Sequence, residues 1–308
     1  AHTALLKELY PAVPGVSRKG GELCVAPEAQ SAFALHRRSY LRGNDAHLRQ
    51  LQSQAGRVSG NIDSFAARGT LYTLLDYHAE QTLAALLDTA PRAAAEVCVR
   101  RLYAVLDALA PFHEAGMLHL DVSADNLLML PPLHGYEADQ VPMLLIDYNG
   151  VWDQGDQTGP SLSSKSGYTA PEARLMAVRS LSMATDLFAV CAVFFEMLTG
   201  RRLTDSECGG QFHDRMSAAV EAACEGLPQT ARLMAVRILR KGLQPLPSRR
   251  YQSIEELRGA LRELMDRIHG KGVTHAALWE AARLSLTDDA PPAYPIPLTV
   301  TMDGQTTP

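Results

Sequence analysis

Residues 119–126 read His-Leu-Asp-Val-Ser-Ala-Asp-Asn, and further along the chain residues 146–150 read Ile-Asp-Tyr-Asn-Gly. The first stretch follows a helical pattern and precedes a β-like run, and the second ends another β-like run. Polar side chains at the ends of such runs can converge on one point. Carboxylate and amide oxygens suit a hard divalent cation, and phosphate groups complete its shell. We therefore predict a phosphate and metal site at Asp121, Asn126 and Asp147, where a carboxylate could also orient a hydroxyl nucleophile.

The composition is that of a globular protein, with 46% hydrophobic residues among 308, enough for one large domain or two lobes sharing a cleft. The formal net charge of −5 implies no broad basic face, which argues against nucleic acid as a partner. The five cysteines include no Cys-x-x-Cys pair, so a reducing, cytoplasmic compartment fits best. The longest apolar run, 187–198, is too short for a membrane span and predicts a buried helix.

The first quarter of the chain is rich in strand patterns. In order, we expect a short strand at 4–8, an irregular Pro- and Gly-rich connection at 11–35, a helix at 39–52 and a hairpin at 65–77. The helix would bury Leu41, Leu48 and Leu51 on one face. Gly69 would occupy the turn of the hairpin.

The remainder of the chain is mostly helical by pattern. A helix is expected from about residue 94, with Gly116 as its stop, and helical patterns resume at residue 172. Ser253 and Glu256 form a capping box before a last strong helix at 254–268. The five prolines after residue 287 indicate a linker or tail. The order of elements predicts an α+β fold with a small strand-rich lobe and a large helical lobe.

These stretches resemble the sequence motifs of the protein kinase superfamily. Residues 119–126 look like the catalytic loop His-Arg-Asp-x-x-x-x-Asn, residues 147–149 resemble Asp-Phe-Gly, and residues 170–172 match Ala-Pro-Glu. The resemblance is to bacterial Ser/Thr protein kinases and extends over residues 4–268. Motifs of this kind are weak singly but specific when they occur in this order.

The resemblance implies a bilobal kinase fold and two further contacts. Asp186 resembles the residue that opens the central helix and braces the catalytic loop, and Arg250 resembles the Arg that pairs with the Glu of Ala-Pro-Glu, here Glu172. The expected units are a possibly reduced N-lobe at 1–76, a hinge at 77–82, a helical C-lobe at 83–269 and a C-terminal extension with a Pro-rich tail at 270–308.

The resemblance also implies roles at the site. Asp121 would accept or orient the proton of a substrate hydroxyl, and Asn126 and Asp147 would hold magnesium. Lys7 would contact the α- and β-phosphates of ATP, with His36 as the rival position for that lysine. We prefer Lys7 because His36 lies too close to the hinge along the chain.

The hinge would form the adenine site. By the same resemblance, Leu75 is the gatekeeper residue, and Asp76 and His78 offer backbone groups to adenine.

Several positions depart from the kinase pattern. No glycine-rich loop precedes Lys7, and the helix Glu that should pair with this lysine falls at Asn44, which would leave Lys7 less well fixed. Leu120 replaces the loop Arg, so a phosphate on the following polar segment would lack its usual partner. Asn149 replaces the Gly of Asp-Phe-Gly, a mild change because Asn tolerates left-handed backbone.

One pair of departures is complementary. Ser/Thr kinases resemble one another in carrying a Lys two residues after the catalytic Asp and a Thr shortly before Ala-Pro-Glu. Here the first position is Ser123 and the second falls near Lys165, so that hydroxyl and ammonium exchange places. Our hypothesis is that Lys165 supplies positive charge near Asp121 and the γ-phosphate, while Ser123 takes the hydroxyl role. The alternative is that both positions have drifted in an inactive site.

Three functions stay open at this stage. The departures favour a pseudokinase or a weakly active Ser/Thr kinase, serving as a nucleotide-sensing or scaffolding module with a protein substrate or signalling partner. The alternative is an active ATP- and magnesium-dependent Ser/Thr protein kinase, supported by the retained motif residues. A small-molecule kinase of related fold is less favoured, because residues 170–172 and Arg250 are typical of the protein-substrate branch.

Overall fold

A computed structural model of the chain describes residues 3–53, 60–131, 141–156, 159–160, 162, 164–209, 214–270, 300–302 and 305–307. The first elements in order are β1 (Ala4–Glu8), β2 (Val16–Lys19), β3 (Glu22–Val25), α1 (Gln30–Ser53), β4 (Asn61–Ala67) and β5 (Thr70–Asp76). Strands β1, β5 and β4 form a three-stranded antiparallel sheet in that order. The expected strand at 4–8 is confirmed, and its residue Lys7 lies directly across from Thr73 on β5.

The connection at 11–35 is more ordered than the sequence predicted. Strands β2 and β3 pair through a turn at Gly20 and Gly21, which both have positive φ, as a two-residue turn between strands requires. Pro27 then begins a 3-10 turn that leads into α1. The prediction of an irregular segment was wrong, because β2 is largely exposed and neither strand is long enough to show the apolar alternation by which strands are recognised.

Helix α1 begins earlier than predicted and buries a different face. Leu41 and Leu48 are 38% and 41% exposed, so the predicted apolar face was wrong for both, although Leu51 packs against the main core. The buried face is made of small and polar residues: Ser39, Tyr40, Gly43, Ala46 and His47. This composition follows from the close approach of the helix to the backbone at residues 148–149, which leaves little room at Gly43.

The hairpin of β4 and β5 is confirmed. Its turn consists of Arg68 and Gly69, with φ of 48° and 76°. A Cβ at Gly69 would approach the backbone oxygen of Leu23 to 2.6 Å, so the hairpin of β2 and β3 lies against this turn.

The second part of the chain is predominantly helical. Its elements are α2 (Leu83–Thr89), α3 (Ala95–Glu114), β6 (Met117–Leu118), β7 (Leu127–Met129), β8 (Met143–Leu145), β9 (Trp152–Asp153), α4 (Pro171–Arg174), α5 (Met183–Thr199), α6 (Asp205–Gly209), α7 (Asp214–Ala223), α8 (Gln229–Gly242) and α9 (Ile254–Ile268). Residues 184–198 of α5 are all buried, which confirms the buried helix expected from the apolar run. Helices α3, α7 and α8 pack around it.

Local signals set several boundaries as predicted. Helix α3 ends just before Gly116, which has φ of 72°. Helix α9 begins after Ser253, whose side chain accepts a hydrogen bond from the Glu256 N–H at 3.1 Å, while the Glu256 carboxylate reaches back to the Gln252 N–H at 2.7 Å. The two short strands β7 and β8 pair with each other, and most of the loop between them, residues 132–140, lies outside the described residues.

The predicted pair of Arg250 and Glu172 is confirmed. The guanidinium group donates two hydrogen bonds of 2.7 Å to the carboxylate, and both side chains are almost fully buried. This bidentate pair joins the segment before α9 to the start of α4.

None of the helices in the described ranges is long and apolar enough to cross a bilayer. The predicted tail lies largely outside the described residues. Near its end, β10 (Val300–Met302) pairs antiparallel with β11 (Gln305–Thr307).

Candidate active site

The site begins with an ion pair between the sheet and the segment that follows β8. The Lys7 ammonium on β1 donates to Asp147 Oδ1 at 2.7 Å. Burial raises the pKa of the Asp147 carboxyl, but the charge and hydrogen bond of Lys7 outweigh that effect, so its pKa is lowered. Asp147 is therefore a carboxylate at neutral pH.

The backbone conformation at Asp147 directs the Asp147 carboxylate and the Tyr148 ring in opposite directions. Asp147 adopts a left-handed conformation with φ of 66°, and Tyr148 behind it is buried. The Tyr148 ring stacks on His47 of α1, with centroids 4.3 Å apart, and packs beside Phe112 at 5.3 Å. The carboxylate consequently faces Lys7 while the aromatic ring anchors the segment in the core. Asn149 does not have a positive φ, so the left-handed backbone that we expected there occurs at Asp147 instead.

The loop after β6 is braced from α5. The Asp186 carboxylate accepts hydrogen bonds from the backbone N–H groups of His119 and Leu120, at 2.9 and 2.8 Å, and pairs with the His113 ring at 2.9 Å. Burial raises the pKa of Asp186, yet the hydrogen bond and charge of His113 hold it below the usual range. The bracing role expected for Asp186 is confirmed.

Asp121 is held by Asn126. The Asn126 amide nitrogen donates to the Asp121 carbonyl oxygen at 2.8 Å and to its carboxylate at 2.9 Å. Burial raises the pKa of Asp121 to about 6, an effect that Lys165 opposes and Asp147 reinforces. The two carboxylates are therefore close enough to repel each other electrostatically. A carboxyl group with a pKa near neutrality is suited to taking up a proton.

Lys165 and Ser123 meet at the edge of the site. The Lys165 ammonium donates to the Ser123 hydroxyl at 2.7 Å and lies 3.4 Å from Asp125. Its backbone is fixed by Thr169, whose hydroxyl accepts from the Lys165 N–H at 2.6 Å. Ser123 is fully buried, so the ammonium is directed inward, and its charge lowers the pKa of Asp121.

The donor set fits a magnesium ion. Asn126 makes its hydrogen bonds through Nδ2, which leaves the amide oxygen as the atom it can offer to a cation, and Asp147 is ionised. Magnesium takes one or two protein oxygen ligands and completes its shell with phosphate and water. Within the described ranges no group of three or more His, Cys, Asp and Glu side chains could hold a metal ion.

The predicted hinge residues follow directly from β5. Leu75, partly buried, lies across from Leu5 on β1. The Asp76 N–H donates to the Gly60 carbonyl oxygen at 3.0 Å, so its own carbonyl oxygen is the group it could present to a ligand. His78 lies in the irregular segment after β5, with its ring 3.7 Å from Glu80. His36 lies on helix α1 and not on a strand, which removes it as the rival of Lys7.

One departure, Asn44, turns out differently from expectation, and the contacts of a second, Leu120, are now defined. Asn44 bonds to Thr73, with N···O distance 2.8 Å, and Lys7 is fixed by Asp147 rather than left loose. Leu120 packs against an apolar cluster that we call the Trp152 cluster, formed by Leu118, Leu120, Trp152, Leu162, Ala173, Val178, Leu181 and Met183. Sequence reasoning missed Thr73, Gly43 and His47, because their only signal was a polar or small residue on a half-buried element.

The comparisons with known proteins agree with this geometry. Residues 46–259 match the family model described as "Protein kinase domain", which is more than half of the chain, so the chain belongs to the protein kinase family. The matched range begins after Asn44 and so excludes β1 and Lys7, whereas it includes the departures at Leu120, Ser123, Asn149 and Lys165.

One curated protein is similar to part of the chain. The chain is 28% identical over 140 residues to a protein named Serine/threonine-protein kinase pkn3 from Myxococcus xanthus. The alignment covers 44% of this chain and 25% of the relative, so the chain matches about a quarter of the length of that protein.

Proposed function

We propose that this chain is a kinase domain that binds ATP with magnesium and transfers the γ-phosphoryl group slowly to Ser or Thr hydroxyls of a protein. The proposal is carried by one observation: the Lys7 ammonium pairs with Asp147 at 2.7 Å, and Asp121, held by Asn126 at 2.9 Å, lies close enough to be affected electrostatically by both charges. Phosphoryl transfer depends mainly on such positioning and electrostatics.

In this mechanism side chains of the protein accept the proton of the substrate hydroxyl and stabilise the charge that develops during transfer. Asp121 orients the substrate hydroxyl and accepts its proton as the oxygen bonds to phosphorus and ADP departs. Asn126 holds Asp121 through the bond of 2.9 Å. Lys165 places its ammonium beside the developing charge, and Ser123 fixes that ammonium through the bond of 2.7 Å.

The remaining residues serve the nucleotide. Asn126 and Asp147 would hold the magnesium ion, which neutralises phosphate charge when bound. Lys7 would contact the α- and β-phosphates, with Leu75 beside the adenine ring and the backbone of Asp76 and His78 hydrogen-bonded to it. Because the five cysteines are free thiols, we place this activity in a reducing cytoplasm, and the resemblance of the motifs to bacterial Ser/Thr kinases suggests a bacterial one.

The second candidate is a pseudokinase that senses nucleotide or serves as a scaffold for a signalling partner. It is supported by Asn44, which stands where a kinase helix carries the Glu that pairs with the lysine. A nucleotide bound without that carboxylate would be held less firmly in the geometry for transfer.

Two measurements separate these functions. Titration with ATP, with and without magnesium, should raise the melting temperature of the wild type, and Asp147→Asn should lose the part that depends on magnesium. Labelled phosphate should then pass to a basic protein substrate in the wild type but not in Asp121→Asn. Binding without transfer would favour the pseudokinase that senses nucleotide. Absence of binding would contradict both the kinase and the nucleotide sensor, and would leave only the scaffold.

A further inference from the structure

Helix α1 meets the sheet through neutral hydrogen bonds. The Tyr40 hydroxyl donates to the Lys7 carbonyl oxygen at 2.9 Å. The Asn44 amide nitrogen donates to the Thr73 hydroxyl oxygen at 2.8 Å, and the Thr73 hydroxyl donates back to the Asn44 oxygen at 3.1 Å. Tyr40 and Thr73 are 2% and 1% exposed, so the bonds are shielded from water, where a lost partner is most costly.

The same helix contacts the segment that carries Asp147. The Ser39 hydroxyl donates to the Asn149 carbonyl oxygen, and the His47 ring stacks on Tyr148. Between them Gly43 lies so close that a Cβ there would approach the Tyr148 carbonyl oxygen to 2.5 Å. Helix α1 is therefore a bridge, with one side on the strands around Lys7 and the other on the backbone beside Asp147.

We propose that Asn44 and Thr73 are positioning residues, whose reciprocal hydrogen bonds hold α1 where it brings Lys7 and Asp147 together. The inference rests on the proposed function in assigning Lys7 and Asp147 to the nucleotide and its metal ion. It goes further in giving the helix a neutral attachment to the sheet, in place of an ion pair with the lysine.

The chemistry of Asn44 supports this assignment. The Thr73 hydroxyl accepts from Asn44 and donates to it, and it also accepts a longer bond of 3.4 Å from Ser64. An amide can supply both the donor and the acceptor, whereas a carboxylate only accepts. A carboxylate at position 44 would also compete with Asp147 for the Lys7 ammonium. The neutral contact therefore keeps the helix in place and leaves the charge of Lys7 directed at Asp147, with which it forms the bond of 2.7 Å.

The test compares removal of the hydrogen bonds with removal of the charge. Hydrogen exchange of peptides covering residues 39–47 would be measured without nucleotide in the wild type, Asn44→Leu, Thr73→Val and Lys7→Met. Each of the first two variants loses both reciprocal bonds and should exchange about five- to thirtyfold faster, as expected for one to two lost buried hydrogen bonds. Lys7→Met should keep the wild-type protection of these peptides from exchange. Thr73→Ser, which retains the hydroxyl, should also show the wild-type protection that Thr73→Val loses.

A second readout links the helix to the site. Affinity for ATP with magnesium, measured by calorimetry, should fall in Asn44→Leu and Thr73→Val and return in Thr73→Ser. The proposal is overturned if Lys7→Met releases the helix as much as Asn44→Leu does, or if the helix is released and affinity is unchanged. If the wild type binds no ATP, the proposed function fails, and the exchange pattern alone then decides whether Asn44 and Thr73 hold α1.

Discussion

Replacing Asp121 with Asn should stabilise the folded protein at neutral and alkaline pH. Burial raises the pKa of this carboxyl from 3.8 to about 6, so the charged form is less favourable in the folded state than in the unfolded chain. The resulting cost is absent below about pH 4, increases as the pH rises through the interval up to about 6, and is constant above it. A shift of about two units corresponds to about 3 kcal/mol, which is an upper value because the side chain is partly exposed and solvent screens it.

The isosteric Asn removes that cost and can still accept the hydrogen bond from Asn126. In urea denaturation with a chelator present, we expect Asp121→Asn to gain about 1–3 kcal/mol at pH 8 and almost nothing at pH 4. Asp125→Asn is the matched control, because Asp125 lies on the same loop and pairs with Lys165 at 3.4 Å with a side chain 42% exposed. The reasoning is refuted if Asp121→Asn is less stable than the wild type at pH 8, or gains equally at both pH values.

Three further perturbations test other contacts. Lys165→Met removes the charge that lowers the pKa of Asp121, so the rise of the transfer rate with pH should move to higher pH in a labelled-phosphate assay; an unmoved profile would contradict the charge role. Gly43→Ala places a Cβ 2.5 Å from a backbone carbonyl oxygen and should destabilise the fold by about 1–3 kcal/mol in thermal unfolding, which wild-type stability would disprove. Arg250→Met leaves the Glu172 carboxylate buried without its partner and should cost about 3–5 kcal/mol in urea denaturation, whereas a loss below about 1 kcal/mol would refute this.

The large helical part was predictable because its signals are local and apolar. The run at 187–198 could only be a buried helix at that length, and Gly116 and Ser253 are residues with specific roles at helix ends. The ordered motifs likewise predicted a fold in which Asp186 braces the loop before Asp121. These inferences need no knowledge of distant contacts.

The N-terminal part was less predictable because tertiary contacts determine it. Leu41 and Leu48 dominate the pattern of α1, yet they are exposed, because the buried face is the one that carries Gly43, where the helix comes too close to the backbone of Tyr148 for a larger residue. The partner of Asn44 could not be read from the sequence, because Thr73 is far along the chain and has no motif of its own. The sequence suggested that Lys165 and Ser123 had exchanged a hydroxyl and an ammonium group. It could not show that the two groups are hydrogen-bonded at 2.7 Å.

The Trp152 cluster bears on whether phosphorylation would regulate this domain. Many kinases have an arginine at the position of Leu120, and that arginine binds a phosphate. Here Leu120 belongs to the Trp152 cluster, which also contains Leu162 from the segment after β9. Apolar contacts form without prior phosphorylation, so we expect Leu162 to take this position as soon as the chain has folded. We expect phosphatase treatment to leave both nucleotide affinity and transfer unchanged, and output in the cell would then follow the amount of protein and the supply of nucleotide rather than an upstream kinase.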